Sequence, residues 1–273
     1  MSRKRSRTAC LGLSLALAAG GCAPSKGASG PGGGDPVRMS ESEYDVARDL
    51  WLRQNRPREA LGHALEAVEL DEDNADARHL VALIYLQFCS EARNPEECRL
   101  EDAEQHARRA VLARESYREA KNTLGVVLIH RKRYAEAIQV LRPLTEDILY
   151  QTPENAWGNL GWAYLEQGKL ELAVDALRRS VAAQPQFCVG SYRLGVALAR
   201  KGRLSEAKQS LTEALETQAP GCSALQEAYA ARTRVLMKLG QRALAEADLK
   251  RCAELSQQTQ TGKECRSMLA KLK

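Results

Sequence analysis

The sequence predicts an all-α fold, a right-handed superhelix of six helical hairpins closed by a C-terminal capping helix. Three observations carry that prediction. One pattern of large and small residues returns six times at a period of about 34 residues. Within each copy the apolar positions follow helical spacing, and no stretch shows the period-two alternation of a half-buried strand.

The copy from Glu154 to Phe187 fixes the register. With Glu154 as position 1, Trp157, Leu160, Tyr164 and Leu177 fall at positions 4, 7, 11 and 24, and Gly161, Ala173 and Ser180 at 8, 20 and 27, with Pro185 at 32. Large residues at the first set fill the space between two antiparallel helices, and small ones at the second let the backbones approach. This copy resembles the tetratricopeptide repeat at every diagnostic position.

The remaining elements follow in order. The first unit, Glu41 to Asn74, carries Tyr44, Trp51, Ala60, Ala64 and Ala67. The second starts at Ala75 with Val81, Ala82 and Tyr85, but its position-20 alanine arrives nine residues late, at Ala103. The extra residues, with Glu91, Asn94-Pro95, Glu96 and Glu97, suit an exposed inter-helix loop. Arg118 to Gln151 gives Leu124, Gly125, Leu128, Ala137 and Leu141, and Cys188 to Gly221 gives Leu194, Gly195, Leu198, Ala207, Leu211 and Ala214. The sixth unit, Gln226 to Thr259, keeps Tyr229, Leu236, Ala245, Leu249 and Cys252, and Lys263 to Lys273 reads as an amphipathic cap. Terminal units are expected to be atypical because one face of each lacks a neighbour.

The first residues carry a different signal. Arg3, Lys4, Arg5 and Arg7 precede an apolar run from Ala9 to Ala19 that is too short to span a bilayer and ends in Ala19-Gly20-Gly21-Cys22. This resembles a bacterial lipobox, although Ala19 replaces its usual leucine. Residues 1–21 are then a signal peptide, Cys22 the acylated N-terminus, residues 22–40 a tether and residues 41–273 the solenoid; a plain secretory signal cut nearby is the alternative. The Gly, Pro and Ser content after Cys22 predicts a coil of about 25 Å end to end. Ala23 in place of aspartate favours the periplasmic face of the outer membrane under the enteric sorting rule. Apart from this covalent lipid, no cofactor is expected.

The chain has 40 basic and 35 acidic residues. Four of the basic ones lie in the signal peptide, leaving 36 against 35 after processing. Clusters such as Arg131-Lys132-Arg133 read as solvated helix ends, so no nucleic-acid partner is expected. Six cysteines remain in the mature chain: Cys89, Cys98, Cys188, Cys222, Cys252 and Cys265. An even number fits an oxidising compartment. Fifteen pairings are possible, and the repeat register favours nearest neighbours in the order given. With no C-x-x-C spacing and with His63, His79, His106 and His130 scattered, no metal is expected.

No nucleophile with a base, paired carboxylates or phosphate-binding loop is apparent, so the sequence reads as a binding protein and not an enzyme. The first helix of each repeat is expected to line a concave face. Positions 9 and 12 are Leu83 and Leu86, Val126 and Ile129, Trp162 and Leu165, then Val196 and Ala199. Asn122 and Tyr192 at position 5, with Asn155 and Asn159, add polar groups, and together they predict a groove for an amphipathic or hydrophobic segment.

A lipobox, a tether and six such repeats with no other domain resemble the pilotins of type IV pili, including the social-motility lipoprotein of gliding bacteria. That resemblance implies a lipid-anchored protein that binds monomers of the secretin, an outer-membrane pore protein, and promotes their multimerisation. An envelope scaffold that gathers peptidoglycan-remodelling enzymes has the same architecture and is the alternative.

Overall fold

The computed structural model describes residues 34–91 and 95–272. The signal peptide, Cys22, most of the tether and Asn94 lie outside the described residues. The described residues from 35 onward fold as helical hairpins: α1 (Pro36–Leu52) with α2 (Pro57–Leu70), α3 (Ala75–Glu91) with α4 (Leu100–Ala113), α5 (Arg118–His130) with α6 (Tyr134–Glu146), and α7 (Pro153–Glu166) with α8 (Leu170–Ala183). Then come α9 (Cys188–Arg200) with α10 (Leu204–Glu216), α11 (Gln226–Lys238) with α12 (Arg242–Leu255), and α13 (Gln260–Leu272). No strand occurs among the described residues.

Two boundaries differ from the sequence reading. Residues 36–40, assigned to the tether, form the first turn of α1. Pro36 is pre-set for a helix start, and the Asp35 carboxylate accepts from the Val37 amide. Ser40 then anchors that turn: it is fully buried, and its hydroxyl donates to the Ala67 carbonyl at 2.6 Å. The cap also starts earlier, at Gln260, where Thr259 Oγ1 accepts from the Gly262 amide at 3.0 Å.

Three of the hairpins each close around one glycine. A β-carbon at Gly125, Gly161 or Gly195 would meet Leu141, Leu177 or Leu211 at 2.5 to 2.6 Å, so position 8 is glycine wherever position 24 is leucine in these three units. The second unit balances the same space differently, with alanines at both places, Ala82 and Ala107, each fully buried. The hairpin turns share a second device at position 15. Gly168, Gly202 and Gly240 have φ of 79°, 78° and 73°, and Asn55 (52°) and Lys132 (60°) take the same left-handed conformation without glycine. In the second unit that position is Cys89, still helical, and the insertion begins there.

Which face is inner follows from contacts. Each first helix touches the first helix of the next unit, from α1 through α11, and α11 touches α13, whereas no comparable contact joins successive second helices. Helices that converge on one side and diverge on the other curve the stack, with α1, α3, α5, α7, α9 and α11 inside. Disulfides join Cys89 to Cys98 across the base of the insertion, Cys188 at the start of α9 to Cys222 before α11, and Cys252 of α12 to Cys265 of α13, with Cα separations of 4.3, 5.7 and 6.1 Å.

Candidate functional site

Two hollows lie on the inner face where α7, α9 and α11 meet. Trp162 on α7 and Tyr192, Arg193 and Val196 on α9 line a hollow of about 250 Å3, rimmed by Glu166, Arg200 and Glu227. Val196 and Arg200 also belong to a second hollow of about 260 Å3, floored by Ala199, Ala231 and Val235 and edged by Arg234 and Lys238. The two form a continuous trough across three first helices. At the other end of the solenoid the surface is acidic: Glu41, Asp45, Asp71, Asp73 and Asp76 surround a hollow in which Arg114 is the one basic side chain.

Register places the trough residues. Position 9 puts Trp162 and Val196 on successive turns of the inner surface, and both are half-buried against the main core. Arg193 occupies position 6, flanked by Tyr192 and Leu194. Its guanidinium lies 4.4 Å from the centroid of the Trp162 ring, while His130 meets the same ring edge-on at 5.1 Å. Nη1 of Arg193 donates to Asn159 Oδ1 at 2.8 Å and to the Gly158 carbonyl at 3.3 Å. No carboxylate pairs with it among the described residues, and burial pulls its pKa down to about 10. It is therefore a charged, largely desolvated cation at neutral pH.

Several residues assigned to the groove face inward instead. Ile129 is 3% exposed and sits in the main core, whereas Leu165, 2% exposed, packs in the same core and also forms part of the lining of the Trp162 hollow. Asn159 is buried, and its amide donates to Asn122 Oδ1 at 3.0 Å while accepting from Arg193, so Asn159 is consumed by the solenoid, whereas Asn122 gives only its Oδ1 and stays half-buried. Leu86 packs on the core formed by the first two hairpins. Leu83, Val126, Asn155, Trp162, Tyr192 and Val196 are half-buried on or beside the inner face.

Sequence reasoning missed Arg193, Arg200 and Lys238. A lone arginine inside the otherwise uncharged run Cys188–Leu198 was the available signal. It also missed that Glu43, His63 and Glu66 bring ligand atoms within 4.8 Å of one another. His63 Nδ1 lies 2.6 Å from Glu43 Oε2 in that group.

The fold defines the class: a tetratricopeptide-repeat solenoid whose inner face is built from its first helices. Models of the tetratricopeptide repeat match residues 99–147, 154–187 and 191–219. The type IV pilus assembly protein PilF of Pseudomonas aeruginosa is 27% identical over 180 residues, covering 63% of this chain and 65% of that protein, so the match spans just under two thirds of the relative. Among solved structures, PilW, described as a widely conserved type IV pilus biogenesis factor, superposes with a TM-score of 0.66 at 22% identity, covering 83% of this chain and 98% of its own. The Pseudomonas aeruginosa PilF structure gives 0.62 at 18%, covering 85% and 99%. A tetratricopeptide repeat protein from Parabacteroides merdae gives 0.67 at 14%, covering 85% and 84%. At these identities the superpositions show the shared fold. No helix among the described residues is long and apolar enough to cross a membrane.

Proposed function

We propose that this chain is a non-enzymatic, lipid-anchored pilotin that binds the secretin of a type IV pilus and promotes its multimerisation in the outer membrane. The observation that carries this reading is the match to PilF, a type IV pilus assembly protein, over 180 residues. The trough suits such a client chemically: apolar walls at Trp162, Val196, Ala231 and Val235 shelter a hydrophobic segment, and the flanking arginines and lysine keep the empty face soluble. Acylation of Cys22 holds the solenoid at the periplasmic face of the outer membrane, where each buried methylene adds about 0.8 kcal/mol to the anchor.

The test is deletion of the gene followed by gel analysis of heat-resistant secretin multimers. The expected result is their loss, with restoration by the native chain and weak restoration by Cys22→Ala. Multimers that persist unchanged in the deletion strain overturn the reading.

A further inference from the structure

We infer that the trough between α7, α9 and α11 takes a carboxylate-bearing apolar segment, one of whose carboxylates pairs with Arg193 against the Trp162 ring. This rests on the reading that the inner face receives a protein segment, and adds what chemistry that segment must carry.

The argument begins with an incomplete ion pair. Removing a guanidinium from water is costly unless a carboxylate or an equivalent set of acceptors replaces the lost hydration. Arg118 pairs with Asp147 at 2.6 Å, Arg131 with Glu104 at 2.6 Å and Arg232 with Asp248 at 2.7 Å, while the buried Arg78 lines neither hollow of the trough and is held by the Glu72 carbonyl. Arg193 has only one amide oxygen, one backbone carbonyl and a ring face. Both hydrogen bonds leave from Nη1, so among the described residues Nε and Nη2 find no acceptor beside the hollow that Arg193 lines. That is the donor geometry a carboxylate engages, and a bond to it would be charge-assisted on both sides.

The surroundings select the rest of the ligand. Next to Arg193 the walls are Trp162, Tyr192 and Val196, so the residues flanking the carboxylate are apolar. Further along, Arg234 shares its charge with an exposed Glu264 at 3.3 Å, and Lys238 forms no ion pair among the described residues. A segment that runs on across α11 meets a second basic site there. This favours an internal stretch with spaced carboxylates over a chain terminus. Glu166 and Glu227 stand at the rim, but both are exposed and Glu166 is neutralised by Arg200 at 3.1 Å, so water screens them from the bound group.

The test uses the full mature chain and synthetic amphipathic peptides of about sixteen residues, identical except for glutamate, glutamine or lysine at every fourth position. Affinity is read by fluorescence anisotropy. The native protein is expected to bind the glutamate peptide at least about tenfold more tightly than the other two. Arg193→Met is expected to abolish that preference and Arg193→Lys to keep part of it, with both variants checked for native helicity and melting. Equal affinity for glutamate and glutamine peptides, a preference that survives Arg193→Met, or no binding of any peptide overturns the inference. Secretin multimers are scored separately: their presence alongside a failed peptide result leaves the pilotin reading intact, and their persistence without the gene removes that reading whatever the peptides do.

Discussion

Gly161 faces Leu177 across the fourth hairpin so closely that a β-carbon at residue 161 would lie 2.6 Å from Leu177 Cγ. Gly161→Ala gains about 1 kcal/mol of helix propensity, but forcing Leu177 aside costs about 1–3 kcal/mol. The expected outcome is a net loss of stability in urea unfolding. Leu177→Ala alone opens a cavity and loses about 2–5 kcal/mol. The double variant recreates the alanine pair Ala82 and Ala107, so its loss should be smaller than the two single losses added together. Strict additivity would show that the two positions do not compete for the same space.

Lys132 holds a left-handed backbone, φ 60°, at a turn position where three other hairpins use glycine. A β-carbon costs about 1–2 kcal/mol in that conformation. Lys132→Gly should therefore raise the unfolding free energy by about 1 kcal/mol and Gly168→Ala lower it by a similar amount, each read from the shift of the urea midpoint. Unchanged midpoints for both would mean that neighbouring contacts, and not glycine, set the turn.

Much of this was legible in the sequence because the repeat is a packing rule. Gly161 and Leu177 can be read as partners from their positions alone, and so can the disulfide neighbours. The inner face was less legible. Position 12 carries an apolar residue whether it faces a groove, as at Ala199, or the core, as at Ile129. Curvature decides between them, and curvature is a property of the whole stack. Asn159 and Arg193 illustrate the same limit: composition shows two polar residues in apolar helices, but only the fold shows that one satisfies the other. The start of α1 was missed because Ser40 is polar, yet it is fully buried through bonds to Ala67 and Asn74, which lie far along the chain.

The three disulfides differ in access. Cys252 and Cys265 are fully buried and Cys222 is 1% exposed, whereas Cys89 and Cys98 are half-buried beside the insertion. Mild reduction of the native protein followed by alkylation should label Cys89 and Cys98 first, as read by mass spectrometry. Closing the 34-residue separation between Cys188 and Cys222 contributes about 4 kcal/mol in the chain-entropy model, against about 3 kcal/mol for the other two. Replacing Cys188 and Cys222 together by serine should therefore cost the most stability of the three pairwise replacements. Simultaneous labelling of all six cysteines would mean that reduction requires global unfolding.

His79 sets an acid limit on the fold. Its Nδ1 lies 2.9 Å from the Tyr117 hydroxyl and its Nε2 2.8 Å from Thr123 Oγ1, so the neutral ring is held at both nitrogens between the second and third hairpins. Burial lowers its pKa from 6.5 to about 4, opposed in part by Asp76, and burial with Arg78 nearby lowers His106 to about 4 as well. A histidine whose folded pKa is depressed takes up its proton more readily when unfolded. Its contribution is thus complete above about pH 6.5 and falls away as the pH drops toward 4, by on the order of 3 kcal/mol for a fully buried ring. Carboxylates held low by arginines, such as Glu136 beside Arg133 and Asp147 beside Arg118, also lose stability in acid, but below their unfolded values near 4. The interval from pH 6.5 to 4.5 therefore belongs to the histidines. His79→Gln keeps a donor and an acceptor without a titrating ring, so urea midpoints measured across that interval should fall less steeply in the variant than in the native chain. An identical slope would place the acid sensitivity elsewhere.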